Sequence, residues 1–422
     1  MESLKKALFF WVAGYFRFFA KIRLKKWSPK IILVTGSSGK TTLFHMLEAQ
    51  FGDMAYYSHH ANSAFGIPFN ILGLYRQNYK AYEYLVFLLK APLMAFKTNE
   101  RQKIYIVEAD CDRPGEGKFL ASFLRPNYTL WLNATYTHSM NFDEVVQKGK
   151  FNDVLDAITY EFGQFALYTR DVVLANGDSK TIDNFIAKHE LTASIEYYQV
   201  EDHLYGYDLS AKGTTFEFKN EKVLVPYLMP DEVWCSVAMC QQMAKIFKIR
   251  FDDNFSKMYL PPGRSGLFIG VKNTLLIDST YNASYDSMRV MLEMLEHMEG
   301  GKKWVVLGDM LEQGNETAQE HARLASLVAD MDLERIMLVG AQMKKYAYPI
   351  LQNKAGSDVV SVDRPSELEK YMDDHLQGGE IILFKGGRFL DGLLERLLVN
   401  QEQASLLPRR ESYWYPIRAK HY

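Results

Sequence analysis

The chain has 422 residues, of which 48% are hydrophobic and 24% charged, and its formal net charge is −2. This composition is typical of a globular protein with a large core, and the length predicts two or three domains. The near-neutral charge gives no electrostatic basis for a nucleic-acid partner, so none is expected. Three cysteines without zinc-like spacing predict a reduced compartment without disulfides: Cys111, Cys235 and Cys240.

Residues 1–28 are predicted to form an amphipathic helix, aromatic along its length and basic at its end. Residues 8–16 are strongly apolar, Arg17 interrupts them, and four basic residues follow between positions 21 and 26. The apolar run is shorter than the roughly 20 residues that span a bilayer, and no signal-peptide cleavage site follows. Two interpretations stay open: peripheral membrane contact through residues 1–27, or a helix packed on the protein's own core.

A phosphate-binding loop follows this helix. The apolar run 31–34 predicts a buried strand, residues 43–51 predict a helix, and between them lie Thr35, Gly36, Ser37, Ser38, Gly39, Lys40, Thr41 and Thr42. Glycines let backbone N–H groups point inward, the helix N-terminus attracts anions, Lys40 neutralises phosphate charge and a threonine hydroxyl can ligate Mg²⁺. Val34 stands where the usual motif has its first glycine, and the alternative is an ordinary glycine-rich turn. The pattern predicts binding of a nucleoside triphosphate.

Strand-like runs alternate with helical ones from residue 30 onward, which predicts an α/β protein with largely parallel sheets. The predicted strands are 31–34, 104–107, 129–132, 172–175, 274–277, 304–307, 336–339 and 381–384. Residues 205–225 alternate like a β-hairpin, a helix is predicted over 233–247, and residues 261–263 (Pro-Pro-Gly) form a candidate domain junction.

Polar residues follow several predicted strands, where ligands bind in open α/β sheets. Glu108 follows the run 104–107, and His138 comes shortly after the run 129–132. A carboxylate beside a phosphate-binding loop usually serves Mg²⁺. Taken alone, Glu108 is equally compatible with a helix cap and His138 with a surface or core histidine. Their order and spacing relative to the loop favour a metal site.

These motifs, in this order, resemble those of the Mur ligases, ATP-dependent amide ligases that build cell-wall peptides and have relatives in folate polyglutamylation. The resemblance runs from about residue 31 to about residue 398. The short loop 35–42 is similar to the family's own, and Glu108 and His138 match its Mg²⁺ ligands. Arg264 and Asp278 match an arginine and an aspartate that reach ATP from the C-terminal domain.

Three stretches resemble the D-alanyl-D-alanine-adding branch of the family: residues 278–288, 307–312 with His321, and 383–388. Residues 62–68 resemble the substrate-side segment. On this basis Asn62, Tyr281 and Asn282 are candidate substrate residues.

The resemblance implies a fold, a chemistry and cofactors. The domains would be the helix 1–28, a P-loop central ATPase domain over 29–262 with a mostly parallel sheet, and a C-terminal Rossmann-like α/β domain over 263–422. ATP would convert a carboxylate to an acyl phosphate, and an amine would attack it to give an amide, ADP and phosphate. Lys40 would stabilise phosphoryl charge, and Mg²⁺ would be held by Thr41, Glu108 and His138. The implied ATP-binding residues are Gly36, Ser37, Ser38, Gly39, Lys40, Thr41, Thr42, Arg264 and Asp278.

The family often uses a carbamylated lysine as an additional Mg²⁺ ligand. Lys148, followed by Gly149, is the better match and Lys150 the alternative, although the spacing from His138 is short. A solvated basic helix turn is the other interpretation.

Three features depart from the family pattern. Its N-terminal domain for a UDP-linked substrate has no counterpart before the loop. Residues 82–96 add an apolar segment, interpreted either as a substrate-binding or membrane-facing element or as a helix buried on the body. Residues 229–235 replace a Gly-x-His-Asn pattern, so that Trp234 either stacks on a base or belongs to the core.

The predicted substrates are a small-molecule or lipid-linked cell-envelope precursor and an amino-acid or dipeptide amine. The predicted location is the cytoplasm, with peripheral contact at the inner face of the membrane as an option. Two alternative functions stay open: a folylpolyglutamate-type ligase, which the D-alanyl-D-alanine motifs disfavour, and a non-catalytic nucleotide-binding partner at the membrane.

Overall fold

A computed structural model describes residues 2–76, 82–97, 100–210, 212–352, 356–387 and 389–422. The chain divides into two compact units. The first contains residues 1–135, 141–203 and 234–252, and the second contains residues 136–140, 204–233 and 253–422. Each is built on a six-stranded sheet with helices, which confirms the predicted α/β fold class. The predicted domain limits stay a prediction.

The helices and strands of the chain up to residue 203 all belong to the first unit. They are α1 (Glu2–Trp27), β1 (Lys30–Thr35), α2 (Lys40–Phe51), β2 (Ala55–Tyr57), α3 (Gly66–Leu72), α4 (Tyr82–Phe96), β3 (Ile104–Glu108), α5 (Glu116–Leu124), β4 (Tyr128–Trp131), α6 (Asp143–Gln147), α7 (Val154–Leu167), β5 (Val172–Asn176), α8 (Lys180–Lys188), β6 (Ser194–Tyr198) and α9 (Val200–His203).

The remaining elements belong to the second unit, except α10. They are β7 (Gly206–Ser210), β8 (Gly213–Phe218), β9 (Glu221–Val225), α10 (Trp234–Ile246), β10 (Gly266–Gly270), β11 (Thr274–Ser279), α11 (Tyr285–His297), β12 (Lys303–Gly308), α12 (Thr317–Asp330), β13 (Arg335–Val339), α13 (Tyr348–Leu351), β14 (Asp358–Val362), α14 (Leu368–His375), β15 (Ile381–Lys385), α15 (Asp391–Leu397) and α16 (Tyr415–His421).

The sheet of the first unit is entirely parallel, with the order β2-β3-β1-β4-β5-β6. Strand β1 lies in the interior and is buried at five of its six positions. The carboxyl ends of β1, β3 and β4 therefore meet at one edge of the sheet, where Gly36, Ala109 and Leu132 begin the loops of the candidate site.

The sheet of the second unit has the order β10-β11-β15-β12-β13-β14, and only β10 runs antiparallel to its neighbour. Strand β12 shows how both faces are buried. Val305 and Leu307 pack with α11 and α12, whereas Trp304 and Val306 pack with α14 and α15. Helices thus cover both faces of a mostly parallel sheet, as in Rossmann-like folds.

The predicted hairpin over residues 205–225 is confirmed as an antiparallel meander, in which β7 pairs with β8 and β8 with β9. The helix predicted after it is α10. At its start, Trp234 is buried and its ring stacks on His203 with a centroid distance of 5.7 Å. Trp234 therefore belongs to the core in this structure.

Helix α1 packs on its own unit, against α3 and α4. It buries one face, formed by Ala13, Phe16, Ala20, Leu24 and Trp27. Among the described residues, no helix combines the length and hydropathy needed to cross a bilayer.

Candidate active site

The phosphate-binding loop connects β1 to α2 and depends on two glycines. Gly36 has a φ of 138° and Gly39 a φ of 78°, both in the region that favours glycine. A Cβ atom on Gly36 would lie 3.0 Å from both the backbone N and O of Asn133. A side chain at Gly36 would therefore push the loop away from the neighbouring strand end.

Asn133 holds the loop open from the end of β4. Its Oδ1 accepts the Ser38 backbone N–H at 2.9 Å, and its Nδ2 donates to Ser38 Oγ at 3.0 Å. The Ser37 hydroxyl donates to Thr135 O at 2.9 Å and accepts the Thr135 N–H at 2.8 Å. The first N–H groups of a helix have no intrahelical acceptor, so the start of α2 offers donors to an anion.

Lys40 lies buried beneath this loop. Its Nζ is 2.9 Å from Asp110 Oδ2 and donates to Gly36 O at 2.6 Å. Burial alone lowers the pKa of Lys40, but the carboxylates of Asp110 and Glu108 outweigh that effect and raise the pKa above its ordinary value. Lys40 is therefore a fixed positive charge at the base of the loop.

Thr41 and Glu108 form the oxygen pair predicted to serve Mg²⁺. Thr41 Oγ1 donates to Glu108 Oε1 at 3.2 Å, and the Glu108 N–H donates to Ser58 Oγ at 3.0 Å. A hydroxyl and a carboxylate are ligands that Mg²⁺ prefers. The structure brings these two residues together and their chemistry fits the ion, while their role as metal ligands stays a prediction.

Asn62 lies on a segment tied to the loop that follows β3. The Asp110 N–H donates to Asn62 O at 2.8 Å. The buried Glu116 strengthens this link, because Oε1 accepts the Ala64 N–H at 2.7 Å and Oε2 accepts the Asp112 N–H at 3.2 Å. The substrate role of Asn62 stays a prediction, but its segment is hydrogen-bonded directly to the loop that follows Glu108.

Glu116 should make stability depend on pH. Burial raises the pKa of Glu116 from the ordinary 4.5 to about 7, although the hydrogen bond from the Ala64 N–H acts to lower it. The folded state keeps this proton at pH values where the unfolded chain has lost it, so stability falls as pH rises from 4.5 to 7. Relative to Glu116→Gln, we expect wild type to lose about 3 kcal/mol over this window, at about 1.4 kcal/mol per pKa unit. Urea denaturation at several pH values checks this, and parallel curves for the two proteins would contradict it.

His138 belongs to the second unit, where it adopts a left-handed φ of 50°. Its Nδ1 lies 2.6 Å from Glu312 Oε2, and this hydrogen bond lowers the pKa of Glu312. Glu312 is the last residue of the sequence motif 307–312, and its pairing with His138 is not evident from the sequence. The metal role of His138 stays a prediction.

Lys148 lies at the C-terminal end of α6, on the surface of the first unit. Its ammonium pairs with Glu144, four residues earlier, and both side chains are more than half exposed. This is the geometry expected of a solvated helix turn. Carbamylation of Lys148 stays a prediction.

Asp278, the predicted ATP-binding aspartate, lies in the second unit and is fully buried near the end of β11. Its Oδ1 accepts the Thr280 backbone N–H at 3.1 Å and the Thr280 hydroxyl at 2.7 Å. Burial raises the pKa of Asp278 to about 6. Arg409 holds the same loop from outside, donating to Thr280 O at 3.1 Å and to Tyr281 O at 2.7 Å.

The second unit gathers the other predicted residues around this loop. The Arg264 guanidinium lies 4.1 Å from the centroid of the Tyr281 ring. Lys385 Nζ donates to Asn282 O at 2.6 Å, and burial, reinforced by Arg264, lowers the pKa of Lys385 to about 7. Lys385 belongs to the sequence motif 383–388, but the sequence assigns it no role in the site. Arg388, the last residue of that motif, lies outside the described residues.

The motif 307–312 and His321 are joined by a structural hydrogen bond. His321 is buried; its Nε2 accepts the Met310 N–H at 3.1 Å and its Nδ1 lies 2.7 Å from Thr317 O. Accepting at Nε2 requires the neutral ring, consistent with burial lowering the pKa of His321.

The first unit defines the class of the protein: a parallel α/β sheet with a phosphate-binding loop, a buried lysine and a Thr–Glu oxygen pair make it a P-loop nucleotide-binding protein. Family models then identify it further. The Mur ligase middle domain matches residues 34–224, and the Mur ligase, glutamate ligase domain matches residues 263–388. The chain belongs to the Mur ligase family, as the sequence motifs predicted.

Individual relatives agree with this assignment. The chain is 25% identical over 378 residues to the UDP-N-acetylmuramoyl-tripeptide–D-alanyl-D-alanine ligase of Bacillus subtilis, covering 87% of this chain and 75% of the relative. The same enzyme of Rickettsia prowazekii is 24% identical over 375 residues, with 85% and 75% covered.

Solved structures share the fold. MurF from Acinetobacter baumannii has a TM-score of 0.72 at 19% identity, covering 90% of this chain and 78% of the other. MurF ligase from Thermotoga maritima, in complex with ADP, has a TM-score of 0.71 at 20% identity, with 93% and 84% covered.

Proposed function

We propose that this chain is an ATP-dependent, ADP-forming ligase that joins a carboxylate to an amine, adding an amino acid or a dipeptide to a cell-wall precursor. The observation that carries the proposal is the buried Lys40–Asp110 pair beneath the loop, next to the Thr41–Glu108 oxygen pair. Family membership selects amide ligation among the reactions that a P-loop protein performs.

A carboxylate is a poor electrophile, so the reaction needs activation. One carboxylate oxygen attacks the γ-phosphorus of ATP and ADP leaves. The amine nitrogen then attacks the acyl carbon, phosphate leaves with that oxygen, and the amine loses a proton. Lys40 and the N–H groups at the start of α2 stabilise charge on the transferred phosphoryl group.

Mg²⁺ would be held by Thr41 and Glu108, where it neutralises phosphate charge. His138 and a carbamylated Lys148 are proposed as further ligands, by similarity to the family. Arg264 and Asp278 are proposed to serve ATP, and Asn62, Tyr281 and Asn282 to serve the other substrates.

The relatives' names supply the first substrates to try. They act on UDP-N-acetylmuramoyl-tripeptide and D-alanyl-D-alanine. For this chain we propose a UDP-linked or lipid-linked cell-envelope precursor as the carboxylate and an amino acid or dipeptide as the amine. The proposed location is the cytoplasm, where ATP is available.

The test is a matrix of carboxylates and amines with ATP and Mg²⁺. The carboxylates are UDP-N-acetylmuramoyl-tripeptide, its lipid-linked counterpart and tetrahydrofolate; the amines are D-alanyl-D-alanine, single amino acids and glutamate. We expect ADP only when both partners of one cell-wall pair are present, with one amide formed per ADP. Product from tetrahydrofolate and glutamate would favour the folylpolyglutamate alternative. Nucleotide binding without ADP formation for every pair would favour a non-catalytic partner.

A further inference from the structure

Helices α1 and α4 carry large apolar side chains that face solvent. Trp11 is 75% exposed, Leu89 79% and Leu93 74%. We call the whole set the apolar face: Leu8, Trp11, Phe18, Tyr82, Leu85, Val86, Leu89, Leu93 and Phe96. On α4, positions 82, 85, 89, 93 and 96 recur every three or four residues, and Val86 adjoins Leu85, which places the set along one side of the helix. Apolar surface on this scale marks an interaction site.

The apolar face stands on a firmly packed support. The opposite sides of the two helices are buried, including Phe16 on α1 and Phe87 on α4. Both helices contact α3. Tyr15 Oη donates to Leu88 O at 2.7 Å. Nearer the C-terminal ends, Arg23 Nη1 donates to Leu72 O at 2.8 Å and to Met94 O at 3.3 Å, and its guanidinium pairs with Glu100.

These contacts also give the direction of the helices. Tyr15 meets Leu88, Arg23 meets Met94, and the Lys26 ammonium lies 4.8 Å from the Phe96 ring centroid. The partner number rises along both helices, so α1 and α4 run side by side in the same direction. The parts of the apolar face that lie on α1 and on α4 therefore belong to one layer of neighbouring helices in the first unit.

The charge around the apolar face has one sign. On the described side chains of α1 and α4, every exposed charged residue is basic: Lys21, Lys25, Lys26 and Lys90. Lys97, directly after α4, is exposed as well, whereas Glu83 is buried. The whole chain has a net charge of −2, so this positive rim is a local feature. Lysines around exposed tryptophan, phenylalanine and leucine match a bilayer surface with anionic headgroups.

We propose that the apolar face of α1 and α4 binds the surface of a membrane that contains anionic lipids. This extends the prediction for residues 1–27 to a surface formed by two helices. The apolar side chains enter the headgroup region and the lysines pair with lipid phosphates. The two helices lie on the bilayer and do not cross it. The proposal stands independently of the ligase activity.

Helix α1 also contacts the loops of the candidate site, through Phe9, which neighbours Leu8 of the apolar face. The Phe9 ring lies 5.0 Å from the Phe65 ring, and the Arg113 guanidinium lies 4.0 Å from the Phe9 centroid. Phe65 follows Asn62 closely, and Arg113 lies between Asp110 and Glu116. If the proposed ligase function holds, this arrangement suits a lipid-linked carboxylate substrate presented at the membrane surface.

The test is flotation of the full chain, without nucleotide, with vesicles of 30% phosphatidylglycerol in phosphatidylcholine and with pure phosphatidylcholine. We expect the wild-type protein to float with the anionic vesicles. The variant Trp11→Gln/Leu89→Gln/Leu93→Gln should bind them at least 10-fold more weakly. The control Tyr259→Gln/Val399→Gln/Leu406→Gln, which removes exposed apolar side chains of the second unit, should bind like wild type. The charge-reversal variant Lys25→Glu/Lys90→Glu should lose the preference for anionic vesicles.

Unfolding midpoints of both triple variants show whether each is folded. The proposal is overturned if the wild-type protein and the Trp11→Gln/Leu89→Gln/Leu93→Gln variant float equally, or if the wild-type protein does not float. A wild-type dimer in gel filtration that becomes monomeric in the Trp11 variant, without flotation, would assign the face to self-association instead. Because the assay contains neither ATP nor acceptor, its failure leaves the ligase proposal to its own test.

Discussion

Replacing Lys40 with methionine is expected to reduce kcat/KM for ADP formation by on the order of 10³-fold. The Lys40 ammonium is buried at the base of the loop and paired with Asp110, so its positive charge lies next to the proposed phosphate site. Methionine keeps much of the volume and removes the charge. The measurement is steady-state ADP release with the acceptor pair that supports turnover.

This substitution also breaks a buried ion pair, which typically costs 3–5 kcal/mol of folding stability. The matched control is Lys40→Met/Asp110→Asn, which removes both charges. We expect the double variant to regain most of the stability in urea denaturation and to stay inactive. Activity in a stable double variant would show that Lys40 has no role at the phosphates.

The Glu108→Gln substitution is expected to lower kcat/KM on the order of 10²-fold and to raise the Mg²⁺ concentration that gives half-maximal activity. The amide keeps a hydrogen bond to Thr41 Oγ1 but loses the negative charge that a divalent ion requires. Titration of activity with Mg²⁺ at fixed ATP measures both effects. Glu190→Gln, at an exposed position just after α8, is the control and should behave like wild type. An unchanged Mg²⁺ dependence in Glu108→Gln would remove Glu108 from the metal site.

The central strands were predictable because a parallel strand buried on both faces is a continuous apolar run. All eight predicted runs lie within or next to strands of the two large sheets. The strands not predicted are β2, β6, β10 and β14, which are the four edges of those sheets. Edge strands are partly exposed and mix polar with apolar residues, so their pairing depends on the neighbouring strand rather than on their own sequence.

The candidate site likewise contains residues that local sequence predicts and contacts that it does not predict. The loop 36–39 and Lys40 are adjacent in sequence, and Glu108 follows a clear strand, so local pattern was sufficient. Asp110 beneath Lys40 is a contact between residues 70 positions apart, and His138 meets Glu312 over 174 positions. Such pairs depend on how the strands are ordered in a sheet, which local sequence does not specify.

Helix α1 illustrates a different limit. Its aromatic residues occur on all sides, so sequence alone could not separate a buried helix from an interfacial one. The structure shows a buried face with Phe16 and an exposed face with Trp11 and Phe18. Packing on the core is therefore confirmed for one side, and the other side carries the membrane proposal.

The most direct test of the central claim follows the oxygen atoms of the substrate carboxylate. The acceptor that supports turnover, first UDP-N-acetylmuramoyl-tripeptide, is labelled with ¹⁸O in its reacting carboxylate and incubated with D-alanyl-D-alanine, ATP and Mg²⁺. Activation as an acyl phosphate predicts ADP as the nucleotide product and one ¹⁸O atom in the phosphate released for each amide formed. Formation of AMP and pyrophosphate, or of amide without ¹⁸O in the released phosphate, would contradict it.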